Sequence, residues 1–359
     1  MKLKLDRKKK YAIALQGGGA RGGFEVGVWK ALREAGISYN AVAGTSVGAL
    51  IGAMMTVGDL ETAEKAWAEM SIDKVISIPD EYEDGLRSLV SCDFSREGIK
   101  SFAPALFEIL KNGGLDVGPL RAWMHASIDP EKIRSSDVEF FITTLDLTDM
   151  QGLYVRVMDL PAENIVDMLL ASAYHPSFKL ETLGGRFYSD GGLVDQLPIT
   201  PLIESGYRDI IAVKMPGMGV SRTVPKLPDL NIHYIESSKE LGGVLNFDPE
   251  QGKLDMRIGY LDAYRALYGL YGKKYYVDRT FKESEALTIL ANHYARTKKR
   301  GKLREIMEFV IPTEAIKLGV PSGSYYEILI ALCESLADAK KMELLKLYTD
   351  SDFIKEAMS

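Results

Sequence analysis

Gly44-Thr45-Ser46-Val47-Gly48 is a G-x-S-x-G pentapeptide between a short apolar run, Ala41 to Gly44, and a charge-free helical pattern, Val47 to Met55. A nucleophile elbow needs that context. Glycines on either side permit a sharp strand-to-helix turn that lifts the serine hydroxyl above a sheet, at the positive end of the next helix. Ser46 is therefore the candidate nucleophile, framed by Gly44, Thr45, Val47 and Gly48. Upstream, Gly17-Gly18-Gly19-Ala20-Arg21-Gly22 follows the apolar run Tyr11 to Leu15 and opens another helical pattern. Consecutive backbone N–H groups with little side-chain cover bind an anion. Two anions suit the loop: a dinucleotide pyrophosphate, since Gly17, Gly19 and Gly22 match G-x-G-x-x-G, or the oxyanion of an ester tetrahedral intermediate. The dinucleotide needs an acidic residue at the end of the next strand, where G-T-S-V-G stands instead, and this favours the oxyanion.

A nucleophilic serine needs a base, most often histidine. His125, His175, His233 and His293 stand in no triad or metal spacing. Asp190-Gly191-Gly192 is the better candidate: an aspartate ending a short strand, followed by glycines that let another backbone approach closely, can take the serine proton directly. Alone, such an Asp-Gly pair reads as a turn. The two cysteines, Cys92 and Cys333, are far apart and outside any C-x-x-C spacing, so neither a disulfide framework nor a zinc site is indicated. No metal or cofactor is expected, and a reducing, cytoplasmic setting suits the chain.

These residues must be held by elements whose pattern is legible around them. Tyr11 to Leu15 suits a strand buried in a parallel sheet, Phe24 to Ala35 a helix closed by Gly36, and Ala41 to Gly44 and Val47 to Met55 a second strand and helix. This β-α-β-α opening predicts parallel strands with the ligand crevice at their carboxyl ends. Further strands are expected at Val138 to Leu145, Leu153 to Val157, Arg186 to Tyr188 and Asp209 to Met215, with a helix over Ala162 to Ala173. Residues 60–128 read as a helical insertion and 281–359 as a C-terminal helical subdomain, leaving 11–280 as the catalytic domain behind a basic N-terminal tail, 1–10. The chain has 359 residues, 46% of them hydrophobic, a net charge of -6 and no export signal or membrane span in its pattern, which argues against a nucleic-acid partner.

The glycine loop, the G-T-S-x-G elbow, the A-S-A stretch with proline at Ala171 to Pro176 and the D-G-G followed by Leu193-Val194-Asp195-Gln196-Leu197-Pro198 stand in the order of the patatin-like phospholipases, which the chain resembles over most of residues 11–215. The resemblance implies a three-layer α/β/α fold with a mostly parallel central sheet. It implies Ser46 as nucleophile and Asp190 as base of a Ser-Asp dyad, with the backbone N–H groups of Gly17, Gly18, Gly19, Ala20, Arg21 and Gly22 as the oxyanion hole. It also names the substrate class, phospholipid or another acyl-ester lipid, and calls for no metal. His175 departs from the family, which more often has an apolar residue before the proline. A triad hydrolase using His233 or His293 is the nearest rival, but that fold normally places several strands before the elbow and here only one precedes Ser46's own. Two basic runs remain. Lys2 to Lys10 reads as a solvated tail; Arg296 to Arg304 reads as a solvated helix face whose charge also suits peripheral contact with an anionic membrane.

Overall fold

The computed structural model describes residues 2–77, 113–216, 219–297 and 302–359. Two compact units are formed, Leu5–Ala263 and Met1–Lys4 together with Tyr264–Ser359. Much of the expected helical insertion, residues 78–112, lies outside the described residues, as does 298–301 within the second basic run.

The larger unit is built on a seven-stranded sheet. Its strands are β1 (Lys10–Leu15), β2 (Ser38–Thr45), β3 (Glu139–Asp146), β4 (Gln151–Arg156), β5 (Tyr188–Asp190), β6 (Asp209–Lys214) and β7 (Asn231–Glu236). The order is β4-β3-β2-β1-β6-β7, with β5 pairing β3 off this path. Every pair among β3, β2, β1, β6 and β7 is parallel, while β4 and β5 run antiparallel to β3. The α/β class read from the sequence is thus the class observed.

Parallel strands flanked by helices bury both faces, so both residues of each alternation must be apolar. Ala12, Ala14, Ala41, Ala43, Ile210 and Ala212 face one way and pack under Ile199, Leu202 and Ile203, in and beside the short helix Thr200–Glu204. The intervening Ile13, Val42 and Ile211 are fully buried on the opposite face. There α2 (Val47–Val57) comes close enough that a Cβ on Gly52 would lie 2.7 Å from the Phe140 ring and 3.2 Å from Val42. Each large apolar side chain so enclosed contributes about 1.5–3 kcal/mol, which fixes the strand register that the site depends on. α1 (Gly22–Glu34) follows the glycine loop directly, and α3 (Leu60–Ala68) is capped by Asp59, whose carboxylate accepts the Thr62 N–H. The N-terminal segment is tied down: Lys9 pairs with Asp209 at 2.9 Å.

The smaller unit is mainly helical, with a two-stranded parallel sheet, β8 (Tyr276–Asp278) and β9 (Leu347–Thr349). Its core gathers Tyr275, Leu290, Tyr294, Tyr326, Leu329 and Phe353 from helices Glu283–Thr297, Tyr325–Ala339 and Asp350–Met358 and the segment before β8. A capping box closes the start of the middle helix: the Ser324 hydroxyl accepts the Glu327 N–H and the Glu327 carboxylate accepts the Ser324 N–H. Among the described residues no helix is long and apolar enough to cross a membrane.

Candidate active site

Ser46 sits between β2 and α2 with φ 56° and ψ -124°. For a residue with a Cβ this conformation costs on the order of 1–3 kcal/mol and persists only where its surroundings enforce it. The enforcement is visible in the flanking glycines. A Cβ on Gly44 would stand 2.1 Å from the Gly48 carbonyl oxygen, and one on Gly48 would stand 2.7 Å from that of Leu15. Neither position tolerates a side chain, so the chain doubles back tightly and leaves Ser46 at the crest. The Ser46 N–H donates to the Ser172 hydroxyl at 3.0 Å, and that hydroxyl donates to the Thr143 carbonyl at 2.7 Å, pinning the elbow to β3.

Register then delivers the aspartate. β2 pairs with β3 up to Thr45 opposite Thr143, and β5 pairs with the continuation of β3, Thr144 opposite Asp190. β4 occupies the other edge of β3 over Phe141 to Asp146, so β2 and β5 share one edge in succession. Ser46 leaves that edge where Asp190 enters it. The junction is close: a Cβ on Gly191 would lie 2.1 Å from the Thr143 carbonyl oxygen.

The Ser46 hydroxyl donates to Asp190 Oδ2 at 2.5 Å, and the Gly192 N–H donates to Asp190 Oδ1 at 2.7 Å. Burial pushes the Asp190 carboxyl above the usual aspartate range, while the hydrogen bonds from Ser46 and Gly192 and the nearby His175 pull it back in part. The result is a carboxylate withdrawn from water and aimed at one hydroxyl.

The glycine loop lies beside this pair, where a Cβ on Gly17 would be 3.3 Å from that of Ser46. Four of its six N–H groups already have acceptors. Gly17 donates to Gln196 O at 3.0 Å, Ala20 to Val244 O at 2.8 Å, Arg21 to Gly18 O at 3.3 Å, and Gly22 to Gly19 O. Among the described residues the N–H groups of Gly18 and Gly19 meet no acceptor. Gly19 has φ 58°, and a Cβ there would strike the Val244 carbonyl oxygen at 2.2 Å, so only glycine serves. Arg21 contributes through its side chain, donating from Nε to Gly242 O at 2.6 Å and from its guanidinium to Pro216 O.

The structure thus brings together Ser46, Asp190, Gly191, Gly192, Gly44, Thr45, Val47, Gly48 and the Gly17 to Gly22 loop. It does not bring His233 to the serine: that residue lies on β7, edge-on to Tyr11 at 5.9 Å. His293 lies in the smaller unit, on the Glu283–Thr297 helix. His175 is half-buried in the turn after the helix Ala162–Ser172. Its Nδ1 lies 2.8 Å from the Ser177 hydroxyl, and burial pushes its imidazole below the usual histidine value despite the attraction of Asp190. Two supporting residues were not singled out by sequence reasoning. Ser172 lies within the A-S-A stretch quoted for the resemblance, and its hydroxyl is the only signal it offers. Gln196 clamps the glycine loop, its carbonyl accepting from Gly17 and its Nε2 donating to Gly17 O at 3.1 Å.

The fold and this geometry define an α/β protein that presents a serine and an aspartate beside a glycine loop, at the carboxyl ends of parallel strands. The family model for patatin-like phospholipase matches residues 13–203, more than half of the chain, and the chain belongs to that family of lipid hydrolases. It is 26% identical over 206 residues to "Patatin-like phospholipase domain-containing protein 7" of Rattus norvegicus, covering 56% of this chain and 13% of that protein. It is 28% identical over 203 residues to "Lysophospholipase NTE1" of Cryptococcus neoformans, covering 56% and 11%. An uncharacterised NTE family protein of Mycobacterium bovis is 26% identical over 206 residues, covering 57% and 49%. The chain therefore matches half or less of the length of these relatives. Among solved structures it is similar to VipD from Legionella pneumophila, with a TM-score of 0.44 and 14% identity over 92% of this chain and 85% of that one.

Proposed function

We propose that the protein is a serine acyl hydrolase acting on phospholipid or lysophospholipid esters through a Ser46–Asp190 dyad. The 2.5 Å hydrogen bond from the Ser46 hydroxyl to Asp190, at a strained strand-to-helix turn, carries the proposal. Ser46 Oγ attacks the ester carbonyl carbon as Asp190 takes its proton. The oxyanion that forms is held by the Gly18 and Gly19 N–H groups. As the intermediate collapses, the C–O bond to the leaving alcohol breaks, Asp190 returns the proton to that oxygen, and an acyl-Ser46 ester remains. Water, deprotonated by Asp190, then attacks the acyl carbon, and the fatty acid leaves as the proton passes back to Ser46 Oγ.

The reading assigns no step to a metal or cofactor. It places the protein in a reducing, cytoplasmic setting, in keeping with a chain of two cysteines of which Cys333 is free and buried. Measuring kcat/KM on one soluble ester for Ser46→Ala, His233→Ala and His293→Ala tests the reading. Ser46→Ala is expected to abolish turnover and each histidine variant to stay within a few-fold of the parent. A severe loss in either histidine variant would replace the dyad with a triad, because residues acting as a unit fail together.

A further inference from the structure

Ser46, Asp190 and the glycine loop come from different parts of the chain, and one short segment touches all three. It runs from Asp190 through the 3-10 turn Gly191–Leu193 to Asp195 and Gln196. At its start Asp190 accepts from Ser46. Near its end the Asp195 carbonyl accepts the Thr45 hydroxyl at 2.8 Å, one residue before the candidate nucleophile. Gln196 then holds Gly17, one residue before the Gly18 N–H, through both its carbonyl and its side chain. Gly191 and Gly192 bring no side chains to the segment and Leu193 is exposed, so its course depends on hydrogen bonds from outside. Gly192 O accepts the Val220 N–H and Val194 O the Arg222 Nε–H, both from one neighbouring loop. The tie to the sheet is made by a side chain: the Tyr154 hydroxyl, on the edge strand β4, donates to Asp195 Oδ2 at 2.8 Å.

That tie completes a polar row. Thr45 pairs with Thr143 and Thr143 with Tyr154, so the three side chains lie abreast on one face of β2, β3 and β4. Two residues earlier on β2 and β3 the same face carries Ala43 and Phe141, both in the core. Thr45, Thr143 and Asp195 are as deeply buried as that apolar pair. Enclosing them is costly, because Asp195 Oδ1 and Thr143 Oγ1 meet no hydrogen-bond partner among the described residues. Burial also pushes the Asp195 carboxyl above the usual aspartate range, offset in part by the Tyr154 hydrogen bond and the charge of Arg222. An apolar side chain at 195 would avoid both costs, so the carboxyl there serves geometry rather than stability.

We propose that Tyr154 and Asp195 are positioning residues for acyl transfer: their hydrogen bond braces the segment from Asp190 to Gln196 and fixes the base against the oxyanion donors. The inference rests on the hydrolase reading and adds two residues that reach the site only through Thr45, Asp190 and Gly17. The test measures kcat and KM of the full chain on one soluble ester, with kcat counted per Ser46 labelled by a fluorophosphonate, and the labelling rate itself. Tyr154→Phe, which removes one hydroxyl and keeps the ring, and Asp195→Leu are each expected to lower kcat about 10- to 100-fold at constant KM, with labelling slowed in parallel. Asp195→Asn still offers Tyr154 an oxygen and should recover most of the rate. Tyr154→Phe combined with Asp195→Leu should be no slower than Asp195→Leu alone, since the pair acts as a unit. Parent values of kcat and labelling rate in Tyr154→Phe and Asp195→Leu, even with a lower midpoint in urea, would overturn the proposal and make the pair purely structural. A raised KM at constant kcat would overturn it as well. A parent that neither turns over ester nor is labelled at Ser46 would overturn the hydrolase reading and this inference with it, whereas parent-like variants overturn this inference alone.

Discussion

Two aspartates, one in each unit, are withdrawn from water and meet opposite fates. In the smaller unit Asp350 is fully buried and accepts from the Thr280 N–H, the Thr280 hydroxyl and the Phe281 N–H, each at 2.7 Å, and from the Tyr326 hydroxyl at 3.2 Å. Burial alone would raise its carboxyl, but these donors outweigh it and hold the group below the usual aspartate range. Among the described residues Asp190 accepts only from Ser46 and Gly192, and burial wins. A buried aspartate ringed by donors is a structural joint between loop and helix. One left short of donors keeps basicity to spare for a proton, and here the nearest proton belongs to a strained serine. The difference lies in the count and geometry of donors set against how strongly each carboxyl is desolvated, not in residue type.

The comparison breaks if the two carboxylates respond alike to neutral replacement. Asp190→Asn keeps shape and removes the acceptor charge, so kcat/KM on a soluble ester is expected to fall about 10²- to 10⁴-fold with little change in Tm. Next in size is Ser172→Ala, which frees the Ser46 N–H and loosens the elbow without touching substrate. Its kcat is expected to fall about tenfold while KM holds, as for a lost transition-state alignment. Ser172→Thr, which restores the hydroxyl, should recover part of the rate.

Asp350→Ala leaves four donors without their acceptor and is expected to cost about 2–4 kcal/mol in chemical denaturation. The folded variant should still acylate at Ser46. The smallest effect concerns Glu25 on α1, enclosed with both carboxylate oxygens short of a well-formed hydrogen bond and pushed well above the usual range by burial. Because its folded value exceeds its unfolded one, its stabilising proton is held at low pH and given up as pH rises toward the folded value. Glu25→Gln removes that dependence, so its Tm advantage over the parent should widen with rising pH. A constant gap across pH would mean that Glu25 is ionised in the fold.

What the sequence reveals follows the same division between local and distant. The elbow is legible because its signature stands within five residues: a Cβ on Gly44 would collide with Gly48 in the doubled-back chain, although the collision that keeps Gly48 bare is with Leu15 on β1. The glycine loop is legible as a run of little-covered N–H groups, but which of them are left without an acceptor is not, since the acceptors on Gln196 and Val244 that occupy Gly17 and Ala20 come from far along the chain. Asp190 can be singled out from D-G-G, yet the reason it meets Ser46 is the succession of β2 and β5 along one edge of β3, which no spacing encodes. The expected strand Arg186 to Tyr188 accordingly forms two residues later, at Tyr188–Asp190, where pairing with Thr144 to Asp146 decides its bounds. β7 escapes notice because its flank on the sheet is half-exposed and mixes Asn, His, Tyr and Glu with its isoleucines. β8 and β9 are three residues each and pair with one another across about 70 residues of chain.

The central claim, that Asp190 activates Ser46 directly, is tested most directly by the rate at which a fluorophosphonate labels Ser46, followed by intact mass and peptide mapping across pH, in the parent and in Asp190→Asn. A proton on Asp190 removes the base, and its raised value keeps that proton on to higher pH than an ordinary aspartate would, at about 3.9. The account predicts a single adduct at Ser46, with a rate that falls as pH falls through a midpoint above the ordinary aspartate value, and a loss of both rate and pH dependence in Asp190→Asn. Labelling of Asp190→Asn at the parent's rate, with the same pH profile, would contradict it.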